Sequence, residues 1–131
     1  MRNKKSIFGS NLERILVFDD SLLGPHARAL LADLRGAAKS GLSLTVIVLS
    51  ATLVDVIRHE TAGPAGYLDG AIFNFAGNKN DLNWLRIRRN HFLHHEGPSD
   101  GLMGEVQSAE WLIDEAVRAL GVLVKYLDDL F

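Results

Sequence analysis

Apolar residues recur every three or four positions along most of this chain, which is the spacing of amphipathic helices. Ser10-Asn11-Leu12-Glu13 has the form of a capping box, in which a hydroxyl and a carboxylate satisfy free amides of the first helical turn. We therefore predict a first helix from Ser10 to about Leu23. Gly24-Pro25 interrupts the pattern, and Pro25 suits the first turn of a second helix that ends near Gly41.

The most apolar run covers residues 42–57, and its pattern fits two kinds of structure. Leu44-Thr45-Val46-Ile47-Val48-Leu49 is rich in β-branched residues, so this stretch taken alone also fits a strand. The apolar pattern continues without a breaker to Ile57, however, and that length favours a helix over residues 42–61. A helix that is apolar on almost every side belongs in the middle of a bundle.

The second half of the chain predicts further helices. Glycine and proline break the pattern after residue 61, and residues 67–76 are expected to form a short helix. Asn80 or Asp81 is then the expected cap of a helix over residues 82–95. After a Gly-rich loop, Ser108 is the expected cap of a last helix that runs to about Leu130 and buries Trp111 with a stripe of aliphatic residues.

The order of these segments predicts the fold class and the domain organisation. Consecutive helices with short connections indicate an all-α protein, an up-and-down antiparallel bundle of four to five helices. We expect residues 1–9 to be a flexible N-terminal tail. Residues 10–131 are expected to form a single helical domain, because no long linker divides them.

Composition narrows the environment and the chemistry of the protein. The chain has 131 residues, a net charge of −2 and no cysteine. The lack of cysteine excludes disulfides, thiolate zinc sites and cysteine nucleophiles, and the charge confines any polyanion site to a local patch. No signal-peptide core follows the basic N-terminus, and the apolar run at 42–57 is shorter than the roughly 20 residues of a membrane helix. We therefore expect a cytoplasmic protein that does not associate with a membrane.

Reactive side chains are concentrated in residues 86–96, which contain three arginines and three of the five histidines. At about 100° per residue, Arg86, Asn90 and His94 form one helical stripe, and Arg89 lies beside it. Arginine grips phosphate with two parallel hydrogen bonds, and histidine moves protons near neutral pH. The stripe therefore resembles a phosphate site in outline, although many arginine-rich helix faces are simply solvated, and histidines near a helix C-terminus offset the helix dipole.

His91 and His95 form a neighbouring stripe with the i, i+4 spacing that can hold a metal ion. Neither a cysteine nor an acid in a metal-ligand pattern accompanies them. We therefore predict no metal site and no cofactor.

Asp55 lies inside the apolar third helix. A buried carboxylate requires a partner, and the arginines of the later helix, Arg86 or Arg89, are the candidates. The alternative is that Asp55 lies on the solvated side of its helix.

Residues 89–94, Arg-Asn-His-Phe-Leu-His, match the Arg-Asn-x-x-x-His signature of HEPN domains. These domains are small α-helical bundles found in toxin–antitoxin systems, phage-defence proteins and RNA-processing proteins. The placement is similar too, since the motif closes a late helix that is followed by a Gly-rich loop and one more amphipathic helix. The apolar third helix with Asp55 embedded in it resembles the long core helix of that fold.

The resemblance implies a homodimer with RNA as its substrate, because the motifs of two HEPN ribonuclease subunits face each other across one cleft. On this basis Arg89 binds the scissile phosphate, His94 is the acid or base, and Asn90 positions His94 or the ribose. No metal ion is needed, and the product carries a 2′,3′-cyclic phosphate. The remaining candidates, which bind substrate or support these residues, are Arg86, His95 and Asp55.

Glu96 departs from the pattern of one toxin subgroup. That subgroup has a tyrosine two residues after the histidine, and its antitoxin, a minimal nucleotidyltransferase, modifies the tyrosine. An acid at this position would also repel phosphate. Two hypotheses follow: a metal-independent endoribonuclease that serves as a toxin or defence component with such an antitoxin as its partner, or a non-catalytic HEPN-like module for dimerisation or partner binding.

Overall fold

The computed structural model describes residues 7–60, 76–94 and 106–130, and all of the regular structure in these ranges is α-helical. The prediction of an all-α bundle is therefore confirmed. The short helix predicted at residues 67–76 lies, apart from Ala76, outside the described residues. The described helices are α1 Ser10–Val17, α2 Pro25–Lys39, α3 Ser43–His59, α4 Lys79–His94 and α5 Val106–Leu130.

The central element is α3, which packs against α2, α4 and α5. Its buried residues include Val46, Ile47, Leu53 and Ile57. Fully burying one such aliphatic side chain contributes about 1.5–3 kcal/mol, whereas β-propensities differ by only about 1 kcal/mol in total. A helix that continues to His59 is therefore lower in free energy than a strand over residues 44–49, because the helix buries Leu53 and Ile57 in the same core.

Helices that follow one another in the sequence run in opposite directions, so α3 and α5 point the same way. Along the contact between α4 and α5, Arg88 pairs with Glu115, whereas the earlier Asp81 pairs with the later Arg118. Only residues 40–42 separate α2 from α3, and Gly41 adopts φ +70° in this turn, a conformation that favours glycine. The turn folds α3 back along α2.

The first helix is shorter than predicted, since α1 ends at Val17 instead of about Leu23. The reason is Arg35 of α2, which donates from Nε to the carbonyl of Ile15 at 2.8 Å and from Nη2 to the carbonyl of Phe18 at 2.7 Å. These bonds satisfy carbonyls of the last turn, where a helix lacks its own donors. Phe18 is extended, and a turn closed by the hydrogen bond from the amide of Leu23 to the carbonyl of Asp20 takes Leu23 into the core.

The start of α1 also differs from the prediction. Gly9 occupies the N-cap position with φ +57°, and no side chain caps the helix, so the capping box of Ser10 and Glu13 is not formed. Phe8 falls within the predicted tail of residues 1–9 but is buried in the core, with 3% of its surface exposed.

The start of α4 lies earlier than predicted. Asn78 caps it, because Oδ1 of Asn78 accepts hydrogen bonds from the amides of Asn80 and Asp81 at 2.9 and 3.1 Å. The predicted caps, Asn80 and Asp81, are therefore donors in the first turn.

The start of α5 is also earlier, at Val106, so Ser108 lies inside the helix and does not cap it. Trp111, predicted to be buried, is 46% exposed. The buried stripe of α5 lies farther along, on residues that include Ala116, Leu120 and Leu127.

The described helices differ from a membrane span, which requires roughly 20 consecutive apolar residues. None of them combines the length and the apolarity that crossing a bilayer requires.

Glu60 joins the end of α3 to the start of α2. Its carboxylate accepts hydrogen bonds from the amides of His26 and Ala27 at 2.8 and 2.9 Å. A helix has no internal acceptors for these first amides, and a negative charge there also favours the helix dipole. Gly24 leaves room for the carboxylate, because a Cβ atom at this position would lie 2.4 Å from Cδ of Glu60.

Glu60→Ala is expected to lower the free energy of unfolding by about 1–2 kcal/mol, because two helix-start amides lose a charged acceptor. Gly24→Ala should destabilise the wild-type chain as well, since the added methyl group displaces the same carboxylate. Urea denaturation measures both effects.

Glu110→Ala, at an exposed position of α5, is the matched control and should change stability by less than about 0.5 kcal/mol. In the Glu60→Ala background, Gly24→Ala should be close to neutral. An equally large effect of Gly24→Ala with and without Glu60 would contradict the proposed role of this junction.

Candidate functional site

The predicted site residues lie on α4, whose orientation is fixed by contacts at its start and in its first half. At its start, the amide of Gly77 donates to Oδ2 of Asp129 at 2.9 Å, and this bond is the main cause that lowers the pKa of Asp129 from its ordinary value. Within the helix, Leu82 and Leu85 are buried in the core. With these residues facing inward, the side chains of the last two turns have fixed directions.

Arg89 forms an ion pair with Asp55 of α3, in which Nη1 of Arg89 donates to Oδ2 of Asp55 at 2.5 Å. Of the two predicted partners of Asp55, Arg86 and Arg89, the structure therefore selects Arg89. The Arg89 side chain is 15% exposed and the Asp55 side chain 37%, so the pair is partly withdrawn from water. Charged hydrogen bonds in such a setting are stronger than those of a surface pair.

The predicted stripe of Arg86, Asn90 and His94 is preserved, because α4 stays helical through His94. Arg86 and His94 are exposed, and Asn90 is half-buried. Oδ1 of Asn90 lies 3.5 Å from Nη2 of Arg89, which is long for a hydrogen bond. The stripe is thus open to solvent at both ends and touches the Asp55–Arg89 pair at its middle.

Within one chain, the helix separates Arg89 from His94. Residues five positions apart on an α-helix diverge by about 140°. Arg89 faces α3, whereas His94 is exposed in the last turn. The two side chains of the predicted catalytic pair therefore do not share a face of α4.

Arg88 is a residue whose role the sequence pattern did not reveal. Its Nη2 lies 2.7 Å from both carboxylate oxygens of Glu115 on α5, and its guanidinium carbon lies 5.0 Å from the centroid of the Phe92 ring. Because successive residues diverge by about 100°, Arg88 faces α5 while Arg89 faces α3. The adjacent arginines hold α4 to both neighbours, and Arg86 is left to face solvent.

His91 lies beside Arg88, whose Nη1 is 3.3 Å from Nδ1 of the imidazole. A cation at this distance opposes the binding of a metal ion. In residues 7–60, 76–94 and 106–130, no group of three His, Cys, Asp or Glu side chains is placed to hold a metal ion. His95 and Glu96, which also entered the sequence predictions, lie outside the described residues.

A pocket of about 390 Å³ lies between α3 and α4, next to the Asp55–Arg89 pair. We call it the α3–α4 pocket. The part of the pocket on α3 could have been predicted from the sequence, because residues 58 and 59 follow Asp55 at the three- and four-residue spacing of one helical face. The contribution from α4 depends on how the two helices pack and could not be predicted. The polar walls of the pocket are formed by Asp55, Arg58, His59, Lys79, Asn83 and Arg86.

Comparison with protein-family models, with curated proteins and with solved structures finds no match to this chain. The likeness to HEPN domains stays a prediction from residues 89–94 and from the order of the helices.

Asp55→Ala and Arg89→Ala are each expected to lower the free energy of unfolding by about 1–3 kcal/mol, because each leaves a partly buried charge without its partner. The double variant should lose less than the sum of the two, with a coupling energy of about 1–2 kcal/mol. Urea denaturation of the four proteins measures this coupling.

The matched control is the Arg14–Asp128 pair between α1 and α5, whose side chains are 50% and 46% exposed. Its coupling energy should be below about 0.5 kcal/mol, as for other surface pairs. Equal coupling in the two pairs would show that Asp55 and Arg89 contribute no more than an ordinary surface contact.

Proposed function

We propose that this protein is a cytoplasmic, metal-independent endoribonuclease of the HEPN type that acts as a homodimer. The observation that carries the proposal is the Asp55–Arg89 ion pair, which holds the motif arginine in one orientation while Arg86 and His94 stay exposed on the same helix. An arginine has five N–H donors. A guanidinium that gives one bond to Asp55 therefore keeps others for a phosphate.

In the proposed reaction, the 2′-hydroxyl of RNA attacks the adjacent phosphorus and the 5′-oxygen of the next nucleotide leaves. A neutral His94 imidazole accepts the proton of the 2′-hydroxyl, and a protonated His94 imidazole from the second subunit delivers a proton to the leaving oxygen. Arg89 stabilises the charge that builds up on the phosphate oxygens. The products are a 2′,3′-cyclic phosphate and a 5′-hydroxyl.

The second subunit is taken from the resemblance to HEPN domains, and the geometry of α4 supports including it. Arg89 and His94 diverge on one helix, so a two-fold axis near the end of α4 is needed to gather both kinds of side chain in one cleft. The antiparallel packing directs the end of α4 toward the first half of α5, where Arg88 pairs with Glu115. Exposed apolar residues on these two segments favour such a contact: Leu93 is 58% exposed and Trp111 46%.

As a biological role for the nuclease we propose a toxin or defence component, with an antitoxin such as a minimal nucleotidyltransferase as its partner. The second candidate function is a non-catalytic HEPN-like module for dimerisation or partner binding. One observation favours it: Arg89 is only 15% exposed, and its charge is already matched by Asp55.

RNA cleavage in the presence of EDTA separates the two candidates. The wild-type protein should release products with 2′,3′-cyclic phosphate ends, and His94→Ala should lower the rate by about 10²–10⁴-fold, the usual contribution of a general acid or base. His26→Ala, at an exposed position of α2, is the matched control and should retain full activity. Equal activity of the His94→Ala variant would exclude the proposed mechanism, and a folded wild-type protein without activity would favour the non-catalytic module.

Mixing wild-type and His94→Ala subunits tests the shared cleft. If both subunits must supply His94, activity should fall with the square of the wild-type fraction after the subunits exchange. A linear decrease would mean that each subunit acts alone, and sedimentation as a monomer at the assay concentration would also contradict the dimer.

A further inference from the structure

We propose that the α3–α4 pocket binds a small phosphate monoester with an apolar body. The pocket shares Asp55 and Arg86 with the candidate nuclease site. The inference does not require nuclease activity, however, because it rests on the pocket of a single chain. The volume of about 390 Å³ falls within the range of roughly 300–1,000 Å³ that is usual for small-molecule sites.

The charge of the pocket favours a dianion. Arg58, Lys79 and Arg86 line it together with a single carboxylate, that of Asp55. Asp55 already accepts a hydrogen bond from Arg89. In the part of the chain that the structure describes, none of the three lining cations pairs with a carboxylate. The pocket is therefore positive, although the whole protein has a net charge of −2. A phosphate monoester carries nearly two negative charges at neutral pH and would balance the positive charge of the pocket.

Arg58 supplies a preorganised donor. Its guanidinium carbon lies 5.7 Å from the centroid of the Tyr126 ring, and Tyr126 is fully buried in the core. This contact already restricts the Arg58 side chain, so binding a ligand costs less conformational entropy. Tyr126 also forms a side-chain hydrogen bond with Arg58, which further restricts the guanidinium.

His59 is held in one ring orientation at the edge of the pocket. Its Nδ1 donates to the backbone carbonyl of Asp55 at 2.7 Å, so Nε2 of the neutral ring is left as an acceptor. The same ring becomes a further donor when it is protonated. His59 can thus bind either a hydroxyl of the ligand or a phosphate oxygen.

The floor of the pocket explains why the ligand should be organic. Val54 of α3 and Leu82 and Leu85 of α4 line it beneath the cations, and all three belong to the buried core. Such a surface gains from contact with apolar groups, which inorganic phosphate lacks. Cations above an apolar floor match a phosphate attached to a ring or an alkyl group.

Phenyl phosphate is the probe, and isothermal titration calorimetry in EDTA without RNA is the measurement. The wild-type chain should bind one equivalent with a dissociation constant below about 1 mM. Inorganic phosphate, which cannot use the floor, and benzoate, which has a single charge, should each bind at least about tenfold more weakly. Amide NMR shifts should place the probe at residues of α3 and α4.

The Lys79→Gln/Arg86→Gln variant should weaken binding of phenyl phosphate by about 100-fold, since each lost charged hydrogen bond is equivalent to about a factor of ten. Both positions are exposed, so the fold should be retained. The Arg28→Gln/Lys39→Gln variant removes two exposed cations of α2 and should bind like the wild type. His94→Ala should bind normally, which separates this result from that of the nuclease assay.

The proposal would be overturned if phenyl phosphate showed no saturable binding up to about 10 mM. It would also be overturned if the Lys79→Gln/Arg86→Gln variant bound as tightly as the wild type. A loss of affinity in the α2 control variant as large as that in the Lys79→Gln/Arg86→Gln variant would have the same consequence.

Discussion

The ion pair between Asp55 and Arg89 is the contact on which the candidate site depends. Asp55 is the one carboxylate within α3, the most apolar of the described helices, and Arg89 comes from the helix that carries the reactive side chains. Each charge is partly withdrawn from water and would be unfavourable without the other. Because α3 is the central helix of the bundle, the pair ties the last turns of α4 to the most buried part of the fold.

Charges, more than apolar burial, give α4 its position. Among its side chains only Leu82 and Leu85 are fully buried, whereas its neighbouring arginines reach α5 and α3. This balance has a consequence for function, because the same residue types that hold the helix are those that bind phosphate. Arg88 and Arg89 are anchored, and Arg86 stays exposed beside the α3–α4 pocket.

The sequence predicted those features that depend on local pattern. The apolar run of α3 identified the central helix, and an acid inside that run had to find a cation, which led to Arg89 as one of two candidates. Features that depend on distant residues could not be predicted. Arg35 ends α1 from another helix, and the α3–α4 pocket exists only once Lys79 and Arg58 are brought together by packing. The second subunit was implied by the resemblance to HEPN domains, and the spacing of Arg89 and His94 did not specify it.

The most direct test of the central claim is NMR of the Arg89 guanidinium in the free protein and with an RNA whose cleavage site lacks the 2′-hydroxyl. Rotation about the Nε–Cζ bond of Arg89 should be slowed relative to that of the exposed Arg28, and the difference should disappear in the Asp55→Asn variant. Addition of the uncleavable RNA should shift the Arg89 signals. Free rotation of Arg89 in the wild-type protein, or signals that RNA leaves unchanged, would contradict the account.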